Sequence, residues 1–356
     1  MTTAVDTTIS LLDRYPVLGI CGCSGAGKTT LIEALIPRLH SMGLQVAVVK
    51  HGAHNVNIDV PGKDSDRFFR AGADVSLFGE ECVTRRHDRG DFTSFLISLC
   101  NSYDLVLVEG HASTKIPKIW LLGREYAAPP ENQGVILDVF NREQSDVDQI
   151  FHFLQQWLSG KLQQTPVWGC VLIGGRSRRM GRPKHLIKHD GRTWLEHAVN
   201  KLALLVNKVV LSGPGQVPGT LAGLPRVPDG PGLAGPLAGI LTVMRWQPVV
   251  SWLVMGCDQP DVQVESLQWL LDRRNPGVHA ILPDLQGDGH IEPLLAWYDY
   301  RCRLPLEEIA ASGSLRISQL AGQPGVHHFQ PPEHLHSSWR NVNTPAELER
   351  LRQKVS

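Results

Sequence analysis

Eight residues constrain this chain more than any others: Gly22-Cys23-Ser24-Gly25-Ala26-Gly27-Lys28-Thr29 matches Gly-x-x-x-x-Gly-Lys-[Ser/Thr] in full. The run before it, 17–21, is apolar and of strand length, and 29–39 has helical periodicity, so the octapeptide lies where a strand turns into a helix. Glycines there let the backbone wrap a phosphate closely, with N–H groups and the helix N-terminus aimed at its oxygens. Lys28 then reaches the β- and γ-phosphates, and the Thr29 hydroxyl binds Mg²⁺. Gly22, Gly25, Gly27, Lys28, Thr29 and Thr30 are the expected nucleotide-binding residues of the first half. Cys21 and Cys23 fit a tight loop as small residues better than they fit a two-cysteine metal clip.

Such a unit needs neighbours to cover it. Runs 45–49, 74–78, 105–108 and 134–139 have strand length, with helix-like stretches such as 91–99 between them. This alternation predicts an α/β fold with a parallel sheet covered on both faces. Glu109 closes the 105–108 run at its carboxyl end, where open α/β sheets bind ligands, and is the expected acidic partner of the metal; the alternative is a surface glutamate at a turn. The polar connector 50–65, with His51 and His54, is long enough to carry function, although two loop histidines alone are more often solvated.

A polar, breaker-containing stretch from Ser159 to Pro166 follows a helix-like segment, and from Val167 the alternation starts afresh. With 356 residues the chain suits two domains, read as 1–160 and 167–356 with a linker at 161–166. In the second half 167–173 is apolar, 193–205 helical, 208–211, 249–255 and 278–282 apolar, and 344–354 helical.

Directly after the 167–173 run comes Gly174-Gly175-Arg176-Ser177-Arg178-Arg179-Met180-Gly181-Arg182-Pro183-Lys184. Two glycines permit a close backbone approach, and five cations in so short a loop suit a compact polyanion. A nucleic-acid groove would interleave aromatic residues with the charges, and none is present here. Asp258 ends the apolar run 250–256 and is the expected metal partner, because triphosphate chemistry needs a cation to gather the oxygens. Asp229 precedes a glycine-rich turn opening a helix; it suits nucleoside hydroxyls or a base edge, or is an ordinary turn aspartate.

Composition narrows the function classes. The chain has 35 basic and 35 acidic residues, giving zero formal charge, but the balance splits into about −4 before Thr165 and +4 after it. No apolar run of about 18 residues is present to span a membrane. The first 13 residues lack a basic n-region and do not read as a signal peptide. Seven cysteines without a Cys-x-x-Cys pair read as reduced thiols, which predicts a cytoplasmic protein.

Residues 16 to about 158 resemble the MobB family of small GTP-binding P-loop proteins of molybdenum cofactor biosynthesis. The octapeptide with Thr30, Lys50-His51, Asp59-Val-Pro-Gly-Lys-Asp-Ser65, Arg70-Ala-Gly-Ala73 and Leu105-Val-Leu-Val-Glu-Gly110 carry the likeness. The family usually has an aromatic residue after that Glu-Gly, where this chain has His111. The second half is similar to the MobA family of molybdenum cofactor guanylyltransferases at 172–184, 229–239, Cys257-Asp258-x-Pro260 and Asn341-Val-Asn-Thr-Pro345. The resemblance implies a P-loop NTPase-type sheet followed by a Rossmann-like, doubly wound nucleotidyltransferase sheet. It implies that Leu172, Gly174, Gly175, Lys184, Asp229 and Asp258 hold the nucleotide, Asp258 with Mg²⁺, and that Arg179, Lys184 and Asp258 carry catalysis. Asn341, Asn343 and Arg316 are placed toward the acceptor.

The expected activity is transfer of GMP from GTP to the phosphate of molybdopterin, with pyrophosphate leaving and the first half acting as a GTP-binding adapter, at most a slow GTPase. A phosphate monoester is already anionic at neutral pH, so the reaction needs positioning and charge neutralisation more than a general base. This agrees with the absence of a paired nucleophile and histidine in the motifs. A CTP-dependent cytidylyltransferase of the same fold and a GTP-regulated scaffold delivering the cofactor to apo-molybdoenzymes or their chaperones are the alternatives. Nucleic acid and membrane are not expected as partners.

Overall fold

The computed structural model describes residues 11–50, 62–78, 81–86, 90–123, 129, 134–141, 146–174 and 180–353. The chain divides into two compact units, Met1–Gln155 and Gln156–Ser356.

The first unit contains strands β1 (Val17–Gly22), β2 (Val46–Lys50), β3 (Val75–Phe78), β4 (Cys82–Arg85), β5 (Leu105–Glu109), β6 (Lys118–Leu122) and β7 (Ile136–Asn141). Helices α1 (Lys28–Ser41), α2 (Asp64–Arg70) and α3 (Phe92–Cys100) lie between them, and α4 (Val147–Gln164) follows. Five strands form a sheet in the order β2-β5-β1-β6-β7, every neighbouring pair parallel. Strands buried on both faces read as continuous apolar runs, and Val17, Leu18 and Ile20 of β1 and Leu105 to Val108 of β5 are all fully buried. Helix α1 buries Leu31, Ile32, Leu35 and Leu39, an i, i+4 stripe.

Two elements differ from the sequence reading. The 74–78 run does not enter the parallel sheet; β3 pairs antiparallel with β4 in a separate two-stranded ladder. Its place in the sheet is taken by β6, Lys-Ile-Trp-Leu-Leu, whose leading lysine hides an otherwise apolar strand. Helix α4 runs through Ser159 and Gly160 to Gln164, into the stretch read as a linker. One glycine costs a helix only about 1 kcal/mol, and the Lys-Leu-Gln-Gln that follows consists of good helix formers. The stop comes at Thr165, because a residue before proline disfavours the α conformation.

The second unit contains β8 (Val167–Leu172), β9 (Lys188–His189), β10 (Arg192–Thr193), α5 (Trp194–Ala203), β11 (Lys208–Ser212), β12 (Arg226–Val227), α6 (Gly235–Trp246), β13 (Ser251–Gly256), α7 (Val264–Leu271), β14 (Ala280–Pro283), β15 (Leu295–Tyr298), α8 (Arg303–Ala311), β16 (Val326–Phe329) and α9 (Pro345–Gln353). The main sheet runs β12-β11-β8-β13-β15-β14-β16. All neighbours are parallel except β15, which is antiparallel to both β13 and β14. Alternate residues feed two cores. Leu253 and Met255 join Leu195, Leu202, Leu267 and Leu270 of α5 and α7, while Trp252 and Val254 join Leu237, Ile240, Leu306 and Ile309 of α6 and α8. This period of two, with helices on both faces, is what a doubly wound sheet requires.

Strand β8 is where the winding reverses, since β11 lies on one side of it and β13 on the other. The carboxyl ends of all three therefore open on one crevice. Helix α6 closes tightly over it: a Cβ on Gly239 would lie 2.7 Å from Leu172 Cδ2, so a larger residue would have to displace that side chain.

Helix α5 starts with a reciprocal capping box between Thr193 and Glu196. Hydrogen bonds from the Thr220 hydroxyl, then from the Thr193 N–H and hydroxyl, pull the Glu196 carboxyl from an ordinary value of 4.5 to about 2. A depressed folded-state value means the contribution is present above about pH 4.5 and lost as pH falls toward 2. In urea titrations of the full chain, Glu196→Gln is expected to flatten the acid dependence of the second unit's transition in that window; unchanged slopes would disprove the assignment.

Candidate functional site

In the first unit the β1–α1 connection forms a tight loop. Gly25 and Gly27 adopt φ of +77° and +78°, and Gly27 is the N-cap of α1. A Cβ on Gly22 would stand 2.4 Å from the Leu121 carbonyl oxygen on β6, so the loop's first residue is also restricted to glycine. The Lys28 ammonium folds back over the loop, donating to the carbonyls of Gly22 (2.9 Å) and Cys23 (2.8 Å). Thr30 is exposed on the first turn of the helix.

Parallel pairing places Glu109 beside Ile20 on one side and Lys50 on the other. The Thr29 hydroxyl donates to Glu109 Oε1 at 2.8 Å, and the Lys50 ammonium lies 3.6 Å from the same oxygen. Glu109 and Thr29 are thus brought together as expected, and Lys50 joins them through strand register. Cys21 is buried with its thiol donating to the Gly110 carbonyl, whereas Cys23 is exposed, so the two do not form a clip. His111 stacks on Phe92 at 4.9 Å between centroids, filling the place of an aromatic ring. Fully buried Lys118 donates to the carbonyls of Ala112 (2.5 Å) and Thr114 (2.7 Å), pinning the turn after Glu109; burial lowers its pKa. No sequence pattern marks Lys118, because its partners are backbone atoms of a neighbouring turn. His51 and His54 lie outside the described residues.

In the second unit a cavity of about 310 Å³ opens at the ends of β8, β11 and β13. Leu172, Ser212 and Gly256 form its floor, Gly174, Asp229 and Pro236 stand around it, and Lys184, Asp258 and Leu294 also line it. A Cβ built on Gly174 would be 3.8 Å from Asp229 Oδ2, which puts that glycine and that carboxylate face to face. Burial raises the Asp229 pKa.

The Lys184 ammonium donates to Asp258 Oδ2 at 2.9 Å and to Asn343 Oδ1 at 2.6 Å. Desolvation, then the Asp258 charge, push the neighbouring Cys257 thiol up to about 12, so it is protonated and no nucleophile at neutral pH. Asn341 is half-buried, with its Oδ1 unpartnered among the described residues. Arg316 is exposed at the start of a 3₁₀ turn and is not among the cavity-lining residues described. Gly175 and Arg179 lie outside the described residues.

His185, Gln259 and Leu294 were not singled out from sequence. His185 is buried, lines the cavity and hydrogen-bonds the Gln216 carbonyl at 2.8 Å; desolvation lowers its pKa. Gln259 Oε1 accepts from the Gly256 N–H at 3.2 Å, bracing the end of β13. Leu294 arrives on the approach to antiparallel β15, whose pairing joins distant segments and has no local signature.

Residues 17–139 match the family model of molybdopterin guanine dinucleotide synthesis protein B, MobB, and residues 169–324 match that of the MobA-like NTP transferase domain. A molybdopterin-guanine dinucleotide biosynthesis adapter protein of Haemophilus influenzae is 36% identical over 166 residues, 42% of this chain and 93% of the relative. The chain belongs to the MobB family. Its second unit carries a MobA-like NTP transferase domain, making it a fused MobB/MobA protein. A probable molybdenum cofactor guanylyltransferase of Bacillus cereus is 29% identical over 195 residues, covering 53% of this chain and 96% of that protein. A molybdenum cofactor biosynthesis bifunctional protein of Synechocystis is 34% identical over 139 residues, 38% of this chain and 40% of the relative.

The MobB unit's loop yields a direct test. In full-length Asp258→Ala protein, one guanine nucleotide site is expected to remain, and adding Lys28→Ala should weaken it by about tenfold to a hundredfold, the worth of one charge-assisted contact. Unchanged affinity by calorimetry would remove Lys28 from the site.

Proposed function

We propose that the chain transfers GMP from GTP to the terminal phosphate of molybdopterin, giving molybdopterin guanine dinucleotide and pyrophosphate, with the MobB unit serving as a GTP-binding adapter. The observation that carries this reading is the meeting of Lys184, Asp258 and Asn343 beside a cavity at the reversal point of the sheet. The names of the relatives support the choice of nucleotide and acceptor.

An oxygen of the phosphate monoester attacks the α-phosphorus of GTP as the bond to the bridging α–β oxygen breaks, and the electron pair leaves with pyrophosphate. Lys184 holds phosphate oxygens as a positive point charge, with Arg179 assigned the same task. Gly174 and Gly175 are assigned to the phosphates, Leu172 supports the nucleotide from the cavity floor, and Asp229 accepts hydrogen bonds from the guanosine. Asn341 and Asn343 are assigned to the acceptor side, and Arg316 to its outer approach. No side chain has to remove a proton from the attacking group.

Magnesium fits the donors. Asp258 Oδ2 and Asn343 Oδ1 are hard oxygens that already converge on one cationic nitrogen, and Thr29 Oγ1 and Glu109 Oε1 make a similar pair in the MobB unit. Among the described residues no group of three His, Cys, Asp or Glu forms a metal cage, which suits an ion completed by phosphates and water. When bound, it would gather the phosphate oxygens and offset their developing charge.

Among the described residues no helix is long and apolar enough to cross a membrane, and none of the seven cysteines forms a disulfide. We place the protein in the cytoplasm, with apo-molybdoenzymes or their chaperones receiving the product.

With molybdenum cofactor, Mg²⁺ and an equal mixture of GTP and CTP, mass analysis is expected to show the guanine dinucleotide. Asp258→Ala should lower its rate by about a thousandfold or more, without loss of GTP binding by the MobB unit. A cytosine product, or wild-type rates in the variant, would overturn the assignment.

A further inference from the structure

The geometry at Lys184 carries a consequence for how the site is charged before substrate arrives. Its side chain is 14% exposed and that of Asp258 23%, so the pair is held close with limited access to water. Both residues that meet the ammonium are held through their backbone. The Val342 N–H donates to the Asp258 carbonyl at 2.9 Å, and the N–H groups of Asn343 and Thr344 donate to Glu347 Oε2 at 2.6 and 3.0 Å. The turn before α9 is therefore tied to the exit of β13 at one end and to its own helix at the other. One carboxylate oxygen and one amide oxygen meeting at a common point supply two of the roughly six ligands a hard divalent cation takes. Here that point is taken by a single positive charge on a flexible four-carbon stem.

We infer that the Lys184 ammonium is a resident counter-ion occupying the divalent-cation position of the free enzyme, and that a triphosphate draws it away so that cation and nucleotide enter together. The inference rests on the reading of Asp258 as a metal ligand and gives Asn343, assigned above to the acceptor side, a place at the cation site as well. Three observations support it. The ammonium contacts the two oxygens best suited to a divalent ion, and a divalent ion placed there would lie against a like charge. Withdrawing the ammonium without replacement would leave Asp258 uncompensated where access to water is limited. A triphosphate supplies what the exchange needs, an alternative anion for Lys184 and additional oxygens for the incoming ion. Lysine suits this exchange better than arginine, whose planar fork would hold the carboxylate with two hydrogen bonds.

The test is Mn²⁺ binding followed by electron paramagnetic resonance, in full-length protein carrying Lys28→Ala and Glu109→Gln to silence the MobB unit. Without nucleotide, Lys184→Met and Lys184→Gln are each expected to bind one Mn²⁺ about tenfold or more tighter than the parent, because a competing charge has gone. Adding Asp258→Asn or Asn343→Ala should abolish the gain. In the parent, Mn²⁺ uptake should appear on adding guanosine 5′-(α,β-methylene)triphosphate and should depend on Asp258. If both neutral replacements bind Mn²⁺ no tighter than the parent while the analogue-driven uptake still needs Asp258, the counter-ion inference is wrong and the metal reading stands. Uptake indifferent to Asp258 overturns both.

Discussion

Parallel pairing of β1 with β5 in the first unit, and of β8 with β11 and β13 in the second, is the constraint on which both sites depend. Strands that run the same way end at the same edge, and each must be followed by a connection that leaves that edge. Residues just past the apolar runs are collected there from segments far apart in sequence. Glu109 meets Thr29 across 80 positions, and Lys184 meets Asp258 and Asn343 across 74 and 159. The central strands β1 and β13 carry no charged residue and are almost wholly buried.

In the proposed reading the two units bind phosphates without an extended basic surface, and with different chemistry. The first relies on a glycine-shaped loop at a helix N-terminus, where backbone dipoles do most of the work and one lysine bridges two carbonyls of the loop. The second brings a lysine, an aspartate and an asparagine to one point, with Gly239 letting α6 pack close to β8. Overall neutrality of the chain is an average over these two designs. It says little about either ligand.

Much of the first site was legible because phosphate-binding loops are local. Eight consecutive residues specify their own turn, and Glu109 was readable as the first acid after an apolar run. Lys118 was not, because a lysine at the head of a strand looks like a boundary until its neighbours bury it and two carbonyls receive its protons. The 74–78 run carries the same apolar signal as the sheet strands, and only its hairpin partner at β4 removes it from the sheet. Asp258 was read from its position after an apolar run and Asp229 from the glycine-rich turn it precedes, and both line the cavity. Arg316 was assigned by likeness alone, and its exposed location gives it no contact with the cavity among the described residues.

The sequence by itself determined the elements whose causes are short-range: the glycine-rich loop at 22–29, the strand that ends in Glu109 and the one that precedes Asp258. Their local patterns also carried the family likeness and the two-unit organisation. Tertiary structure alone decided which polar groups share a point. Lys50 joins Glu109 through strand register, Leu294 comes in on an antiparallel strand, and Asn343 reaches Lys184 from the far end of the unit. Distances of a few ångströms between residues a hundred positions apart are set by the packing of whole sheets and helices, and no local pattern encodes them.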